Sequence, residues 1–199
     1  MTTNESVRIG RRPATDHDSV AAAALELFWR NGFDATTIQA IADASGISRR
    51  TVFRYFPSKD DIPWGRFDEN LDHLATVLRA TPPGLALHEA VHRAVLDFNR
   101  IEAGAVAQHR VRMTLILRTP ALQAHSALRY AGWRAVIAEY AASRLGLPVA
   151  AMLPRVVGHV ALALALSAYE RWLDDEDAAL ADLLDEALAG LRTYLGGSP

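Results

Sequence analysis

The stretch that decides the fold is SGISRRTVFRYFPSK, residues 45–59. It contains four basic residues and no acidic residue, although the whole chain has a formal net charge of −2. A phosphate backbone attracts such local positive charge. Residues 36–44, just before it, have the spacing of a short amphipathic helix, and Ser45, Gly46 and Ile47 supply a tight turn. Together these segments predict a helix-turn-helix whose second helix enters a groove of DNA.

Two helices are expected before that turn. The first spans residues 16–31, with Thr15 as its N-cap and Gly32 as its stop. Thr36 followed by Gln39 matches a capping box for the second helix. Its apolar residues are expected to turn towards the first helix.

The third helix is predicted over residues 49–56. Ser48 is a suitable N-cap and Pro57 ends the helix. Val52 and Phe56 are four residues apart and are expected to form the buried stripe. Four side chains then remain on the outside of this helix: Arg49, Arg50, Arg54 and Tyr55.

The rest of the chain is expected to be helical as well, which gives an all-α protein of about nine helices. Ser58 is a candidate cap for a fourth helix that reaches about residue 79, but Pro63 predicts a kinked or separate first turn. Further helices are predicted near residues 85–101, 104–117, 120–145, 150–173 and 177–195. The expected domains are residues 1–60, with the helix-turn-helix, and residues 61–199.

Composition excludes several classes of function. The chain contains no cysteine, which rules out disulfides and thiolate metal sites and favours a reducing cytoplasm. The N-terminal residues lack the apolar core of a signal peptide. The longest apolar stretch, residues 156–168, is shorter than the roughly 20 residues of a membrane span. We therefore predict a buried helix there, no membrane contact and no bound cofactor.

The order of residues 33–59 resembles the DNA-binding domain of the TetR family of bacterial regulators. The resemblance rests on the segments GF, TTI, IA, ASGIS and FRYFPSK in their order and spacing. It implies a variable all-helical C-terminal domain that dimerises and holds an effector. Residues 53–64 and 118–133 resemble more narrowly the branch of that family found with mycofactocin biosynthesis genes.

The candidate DNA contacts divide by chemistry. Arg49 and Arg50 reach base edges or phosphates, and bidentate Arg to guanine is the commonest specific contact. Short hydroxyls and a flexible lysine suit phosphates. The full predicted set is Thr37, Ser48, Arg49, Arg50, Thr51, Arg54, Tyr55 and Lys59. Where the family commonly has Gly, Tyr and His, this chain has Arg50, Phe53 and Tyr55, so a relative's operator sequence does not transfer.

A second basic cluster, Arg8, Arg11 and Arg12, precedes the first helix. Two interpretations stay open for it: an arm that enters the minor groove, or a leader without a DNA contact.

The segment His88-Glu89-Ala90-Val91-His92 fits the HExxH pattern of zinc proteases. Such a site needs a third protein ligand, and no second motif downstream identifies one. A zinc-dependent hydrolase is therefore the alternative function, and two ordinary histidines on a helix face are the simpler explanation.

Dimerisation is expected through the last two long helices, whose apolar stripes would pair with their copies in a four-helix interface. The other interpretation of these stripes is that they form the core of a single chain. Two recognition helices must lie about 34 Å apart to use successive major grooves. The stripes consist of Leu153, Val156, Val157, Val160, Leu164, Leu180, Leu183, Leu184, Leu188 and Leu191.

An effector pocket is expected among the middle helices, because apolar surface with a few polar tips is typical of ligand sites. The candidate residues are Phe98, Asn99, Met113, Leu117, Trp133, Tyr140, His159, Tyr169 and Trp172. Arg118, Arg129 and Arg134 favour an anionic ligand, and the resemblance points to fatty acyl-coenzyme A (acyl-CoA). The predicted function is a repressor that leaves a palindromic operator when this ligand binds.

Overall fold

Three short helices form the N-terminal unit. A computed structural model describes residues 16–196 and has α1 at His17–Asn31, α2 at Ile38–Ser45 and α3 at Arg49–Tyr55. The side chain of Asp16 caps α1 in a capping box with Ser19, one residue later than the predicted cap. Thr15 and the basic cluster before it lie outside the described residues.

The cap of α2 corrects a prediction. The hydroxyl of Thr36 is buried and donates to the Gly32 carbonyl at 2.8 Å, so it does not cap the helix. Thr37 is the cap instead, because its oxygen accepts a hydrogen bond from the Ala40 N–H at 3.1 Å. The predicted Ser48 cap of α3 is confirmed.

Six further helices follow, and the described residues contain nine α-helices and no strand, which confirms the all-α prediction. They are α4 Phe67–Ala80, α5 Leu87–Phe98, α6 Val106–Arg118, α7 Pro120–Leu145, α8 Met152–Asp174 and α9 Leu180–Tyr194. Two 3₁₀ segments, Lys59–Trp64 and Ala103–Ala105, connect α3 to α4 and α5 to α6.

The segment between α3 and α4 has the predicted break. Pro63 lies inside the 3₁₀ segment Lys59–Trp64, and Gly65 ends it with φ 56° and ψ −128°. Only glycine adopts this backbone conformation readily. The chain therefore enters α4 from a separate, tightly wound turn.

Two apolar clusters hold the molecule together. The larger one lies among α4 to α9, and the smaller one fills the space between α1, α2 and α3. Leu115 of α6 and Leu122 of α7 are buried in the smaller cluster. The helix-turn-helix therefore shares its core with the start of the C-terminal bundle.

Helix α8 packs one face inside the bundle and leaves apolar side chains, among them Leu153 and Val156, exposed on another. By length and composition alone it is long enough to cross a membrane, as many core helices of water-soluble proteins are. Eight of its residues are buried, among them Ala161, Ala165 and Trp172 in the larger cluster. The buried helix predicted for residues 156–168 is confirmed for one face only, since Val156 and His159 are exposed.

We predict that Gly158→Ala lowers the free energy of unfolding by about 1–3 kcal/mol, the usual cost of overpacking a core. A Cβ at Gly158 would lie 2.7 Å from the Arg134 carbonyl oxygen, so α8 would have to move away from α7. Urea unfolding followed by circular dichroism measures the change.

Gly190→Ala is the matched control, since a Cβ on this exposed residue of α9 meets no atom within 4 Å. It should stabilise the helix by about 0.5–1 kcal/mol, the propensity difference between Gly and Ala. Equal changes in the free energy of unfolding for Gly158→Ala and Gly190→Ala would contradict the close packing of α7 and α8.

Candidate DNA-binding surface and ligand cavity

The turn before α3 is fixed by backbone geometry. Gly46 has φ 65° and ψ 31°, the left-handed conformation, and the Ile47 N–H donates to the Ala42 carbonyl at 3.0 Å. The Ser48 hydroxyl then accepts a hydrogen bond from the Thr51 N–H at 3.1 Å. These contacts set the angle at which α3 leaves α2.

The outer face of α3 is basic. Arg49, Arg50 and Arg54 are exposed, while Val52 points into the smaller cluster. The side chains of Arg49 and Arg50 make no hydrogen bond or ion pair with the part of the chain that the structure describes. Phe53, which was not among the predicted contacts, is 45% exposed on the same helix.

Tyr55 packs against α1. It is half-buried, with its ring edge-to-face against His17 at a centroid distance of 6.1 Å. The guanidinium carbon of Arg54 lies 5.2 Å from the same ring centroid. Its predicted contact with DNA stays a prediction.

Thr37 and Lys59 already have intramolecular roles. Thr37 is exposed and its oxygen caps α2. The Nζ of Lys59 donates to the carbonyls of Phe33 at 2.9 Å and Thr36 at 3.2 Å. The expectation of a flexible lysine is therefore wrong, because these bonds fix the ammonium over the α1–α2 connection.

A cluster around Asp61 ties the 3₁₀ segment to α7. The Asp61 carboxylate accepts hydrogen bonds from the Ser58 hydroxyl at 2.7 Å and from Arg129 Nη2 at 2.5 Å, and His125 Nε2 lies 2.9 Å away. Arg129 also donates to Asp68 at 2.9 and 3.0 Å. These contacts attach the 3₁₀ segment, which follows the recognition helix α3, to the C-terminal bundle.

The pKa of Asp61 reflects the same cluster. Burial alone would raise it, but the hydrogen bonds from Ser58 and Arg129 and the charge of Arg129 outweigh burial. The pKa of Asp61 therefore lies below its ordinary value, and the carboxylate is ionised at neutral pH.

Two arginines expected to attract a ligand are engaged elsewhere. Arg129 is paired with Asp61 and Asp68, and Arg118 is paired with Asp174 at 2.5 Å. Arg134 lines an open surface pocket between α7 and the start of α8. These three arginines do not line the interior cavity described next.

An interior cavity of about 120 Å³ lies between α4, α5, α6, α7 and α8. Five predicted ligand residues line it: Phe98, Asn99, Met113, Trp133 and Tyr169. The other lining residues are Trp64, Phe67, Asn70, His109, Arg112, Tyr130, Leu162, Ala165 and Leu166.

Four predicted ligand residues do not line this cavity: Leu117, Tyr140, His159 and Trp172, the last of which lines the neighbouring groove described below. Leu117 is partly buried and packs against the outside of the larger apolar cluster. The hydroxyl of Tyr140 accepts a hydrogen bond from Arg144 at 2.6 Å, one helical turn further along α7. His159 is exposed on α8, because that face of the helix points away from the bundle.

One wall of the cavity carries a self-contained hydrogen-bond chain. His109 Nε2 lies 2.9 Å from the Tyr169 hydroxyl, which donates to Asn99 Oδ1 at 2.9 Å, and Asn99 Nδ2 donates to the Val95 carbonyl. Burial and the charge of Arg112 lower the pKa of His109 to about 4, and burial raises that of Tyr169. Both side chains are neutral at neutral pH.

Three polar atoms on other parts of the wall have no hydrogen-bond partner: Trp64 Nε1, Arg112 Nε and the Tyr130 hydroxyl. Burial lowers the pKa of Arg112 and raises that of Tyr130 to about 12. None of these three residues is a predicted ligand contact, because the sequence does not reveal which way a single polar residue among apolar ones points.

A larger, open groove of about 1090 Å³ lies beside the cavity, between α4, α5 and α9. Asn99 lines both spaces. The groove carries charges of both signs. Its lining includes Arg93, Arg100 and Asp97, and the Asp97 carboxylate lies 3.1 Å from both Arg100 Nη2 and His73 Nε2. Asp185 and Trp172 line it as well.

The stripes predicted for dimerisation divide into surface and core. Leu153 and Val156 of α8 are exposed. Leu180 and Leu184 of α9 are instead buried in the chain's own core, so their assignment to the dimer interface was wrong. An apolar groove of about 570 Å³ separates α5, α8 and α9. The remaining stripe residues are half-buried: Val157, Val160, Leu164, Leu183, Leu188 and Leu191.

The HExxH segment does not form a metal site with its neighbours. His88 is exposed, and His92 Nε2 lies 2.5 Å from Asp185 Oδ1. Within residues 16–196, no three His, Asp or Glu side chains are placed to hold a metal ion together. Nothing in this geometry supports the zinc hydrolase alternative.

We predict that His109→Gln reduces the loss of stability on acidification. Because burial lowers the pKa of His109 to about 4 from an ordinary 6.5, the unfolded chain takes up this proton first as the pH falls. The wild type should therefore lose about 2 kcal/mol more than the variant between pH 7 and pH 5, measured by urea unfolding.

His159→Gln serves as the control, since this exposed histidine lies outside the cavity. It should follow the wild type at both pH values. A wild-type loss equal to that of His109→Gln would contradict the buried, neutral imidazole.

Two family models match the chain. Residues 20–62 match bacterial regulatory proteins of the tetR family, and residues 85–196 match the MftR C-terminal domain. The chain is 43% identical over 180 residues to a protein of Mycobacterium tuberculosis named as the mycofactocin biosynthesis transcriptional regulator MftR, covering 90% of this chain and 91% of that one. It is 30% identical to the regulator TcmR of Streptomyces glaucescens over 93% and 86% of the two chains.

Solved structures share the fold. FadR of Bacillus subtilis, solved with stearoyl-CoA, aligns with a TM-score of 0.60 and 16% identity over 87% of this chain and 96% of that one. FadR of Thermus thermophilus, solved with lauroyl-CoA, aligns with a TM-score of 0.53 and 22% identity over 92% and 95%. The chain therefore belongs to the TetR family of bacterial transcriptional regulators and carries a C-terminal domain of the MftR type.

Proposed function

We propose that this regulator is a cytoplasmic homodimer that represses transcription by binding a roughly palindromic operator. An amphipathic, anionic ligand in the C-terminal domain favours a state whose recognition helices are badly spaced, and the operator is released. The shift is limited by the difference in the ligand's affinity for the two states.

The observation that carries the proposal is the free basic face of α3. Arg49 and Arg50 are exposed and have no intramolecular partner among the described residues, so both guanidinium groups are available to guanine edges or phosphates. The exposed ring of Phe53 adds an apolar surface suited to a thymine methyl group.

The remaining predicted contacts position the helix on the phosphate backbone. Thr37 and Ser48 lie at the N-termini of α2 and α3, where the helix dipole favours an anion. The hydroxyls of Ser48 and Thr51 are 3.0 Å apart, so one hydroxyl hydrogen of the pair is left for a phosphate. Arg54 supplies a further charge, and Lys59 has a third N–H beyond the two it donates.

Exposed apolar residues on α8 support the dimer. Leu153 and Val156 lie on its open face, next to the apolar groove that α9 borders. Monomeric proteins rarely expose a continuous apolar patch without a binding function. Pairing α8 and α9 with their copies covers this surface and sets the separation of the two α3 helices.

The ligand proposal combines the cavity with its neighbouring groove. Both FadR proteins are described as complexes with an acyl-CoA, which makes fatty acyl-CoA the first candidate. Arg93 in the open groove has no ion pair among the described residues and is available to a phosphate group, whereas Arg100 is already paired with Asp97 at 3.1 Å. The apolar lining of the cavity beyond Asn99 suits the acyl part.

The route from ligand to DNA runs through the 3₁₀ segment. Asp61 joins it to α7, and Arg66 at the start of α4 binds Asp18 of α1 through Nε at 3.0 Å. A displacement of α4 or α7 by a ligand therefore moves the helix-turn-helix as a unit.

Arg49→Ala and Arg50→Ala should each weaken operator binding by roughly 10- to 100-fold, as expected for a lost bidentate base contact. Fluorescence anisotropy with DNA from upstream of the protein's own gene measures this at fixed salt, because phosphate contacts make the affinity depend steeply on ionic strength. Lauroyl-CoA should lower the affinity of the wild type.

Arg79→Ala, an exposed arginine at the far end of α4, is the control and should bind like the wild type. Sedimentation of every variant as a dimer separates DNA contact from assembly. Undiminished operator binding by both α3 variants would contradict the assigned face.

Leu153→Asp should convert the dimer into monomers and abolish tight operator binding, because a charge would be buried in the apolar interface. Analytical ultracentrifugation measures the change in mass. Leu128→Asp makes the same substitution at a leucine of α7 that is 73% exposed, and it should stay dimeric. A dimeric Leu153→Asp protein would place the interface elsewhere.

A further inference from the structure

Lys59 is the only lysine of the chain, so every other one of its 21 lysine and arginine positions is an arginine. Its Nζ donates to the carbonyl oxygens of Phe33 at 2.9 Å and Thr36 at 3.2 Å, and it lies 4.4 Å from the centroid of the Phe33 ring. These partners are two carbonyl oxygens and the face of a ring, none of which carries a full negative charge. The ammonium is therefore held in place without being neutralised.

The surroundings of Lys59 Nζ suit an ammonium better than a guanidinium. An ammonium is compact and directs three N–H groups towards the corners of a tetrahedron, whereas a guanidinium is a wider, planar fork. Both carbonyls belong to the tight connection between α1 and α2, and one nitrogen atom donates to both. An arginine would bring a wider, planar group into the same space.

The bond from Lys59 to the Thr36 carbonyl fixes the direction of the next N–H along the chain. The described residues contain no cis peptide, and in a planar trans peptide the C=O and the N–H point in opposite directions. Because the Thr36 oxygen turns towards Lys59, the Thr37 N–H turns away from it. This N–H donates to no group among residues 16–196.

The Thr37 N–H is left available by the way α2 begins. A capping box would bond it to the side chain three residues later, but that residue is Ala40. The Thr37 oxygen accepts from the Ala40 N–H instead. A positive charge beside the Thr36 carbonyl also polarises the peptide and strengthens its N–H as a donor. The N-terminus of α2 thus presents an oriented N–H to an anion.

Lys59 also belongs to the segment that is attached to the C-terminal bundle. It is the first residue of the 3₁₀ segment, and Asp61, two residues later, binds Arg129 of α7. The other side of the connection is fixed separately, because the Thr36 hydroxyl donates to the Gly32 carbonyl at 2.8 Å. Movement of the 3₁₀ segment against α1 would therefore pull on the bonds of Lys59.

We propose that Lys59 is a positioning residue for operator binding, whose ammonium holds the Thr36–Thr37 peptide so that the Thr37 N–H is aimed at a phosphate. The inference rests on the proposed function, in which the N-terminus of α2 meets the phosphate backbone. A lysine that served as a phosphate contact alone would act outside the protein. Lys59 acts through the hydrogen bonds that it donates within it.

Chemical modification at position 59 separates the charge of the side chain from its hydrogen bonds. Because the chain contains no cysteine, Lys59→Cys carries a single thiol. Alkylation in denaturant with 2-bromoethylamine, followed by refolding, gives a side chain as long as lysine with three N–H donors. Alkylation with (2-bromoethyl)trimethylammonium gives a side chain of the same charge with no N–H donor.

The first readout is hydrogen exchange of residues 33–40 without DNA, measured by mass spectrometry. Exchange should be at least about 10-fold faster in the trimethylated form than in the aminoethyl form, because a hydrogen bond from a charged group is lost. The aminoethyl form should match the wild type. Equal exchange in the two alkylated forms would overturn the proposal, since a phosphate contact alone has no effect in the absence of DNA.

The second readout is operator affinity by fluorescence anisotropy at fixed salt. The trimethylated form should bind at least about 10-fold more weakly than the aminoethyl form, and Lys59→Arg should be weakened similarly although its charge is unchanged. Arg79→Cys, carried through both reactions, is the control, and both of its forms should bind like the wild type. Equal operator binding by the two forms modified at position 59 would also overturn the proposal.

Lys59→Arg needs no refolding, so it decides the matter if the alkylated forms do not refold. Wild-type exchange and wild-type operator affinity in this variant would overturn the proposal. Operator DNA that binds no form, the wild type included, would count against the repressor itself. The exchange comparison would then still decide whether Lys59 holds the connection between α1 and α2.

Discussion

The carboxylate of Asp61 is the group on which the relation between the two halves of this regulator depends. It accepts hydrogen bonds from Ser58, just beyond the recognition helix, and from Arg129, in the middle of the longest helix of the bundle. Removing one partner of such a buried cluster leaves an uncompensated charge, which is far costlier than losing a surface pair. The smaller apolar cluster adds a second attachment, since Leu115 and Leu122 complete the core of the helix-turn-helix. The DNA-binding unit is therefore braced against the bundle rather than suspended from a flexible linker.

This bracing gives the cavity a direct influence on the DNA-binding face. The 3₁₀ segment that Asp61 anchors also supplies Trp64 to the cavity wall, and it ends at Gly65 under the Arg112 guanidinium. The same short segment thus contacts the ligand space, the longest helix and the end of the recognition helix. Because its tight turns admit few alternative conformations, a displacement at the cavity is transmitted to the DNA-binding unit rather than taken up within the segment. The open groove beyond Asn99 provides a second, more exposed place for charged parts of a larger ligand.

Local rules predicted the helices well and the interior poorly. Gly46 and Ser48 specify their turn and cap through their own backbone and side chain, and both are as predicted. At α2 the same rules predicted the wrong one of two adjacent threonines. Only the burial of the Thr36 hydroxyl shows that the next threonine is the cap. On α6, the apolar pattern indicated Met113 but not Arg112, since a polar residue that faces inward looks like a surface residue in the sequence. The prediction of His159 as a ligand contact was wrong for the opposite reason. Its apolar neighbours in the sequence indicated burial, but it lies on an exposed face of α8.

The central claim is that ligand occupancy changes the spacing of the two recognition helices. The chain contains no cysteine, so Asn31→Cys, at the exposed C-terminal end of α1, places a single spin label on each protomer. Double electron–electron resonance then reads one distance across the dimer. On operator DNA the account predicts a narrow distribution, set by recognition helices about 34 Å apart. A ligand that releases the operator should shift or broaden that distribution in the absence of DNA. Release of the operator with an unchanged distance distribution would contradict the mechanism.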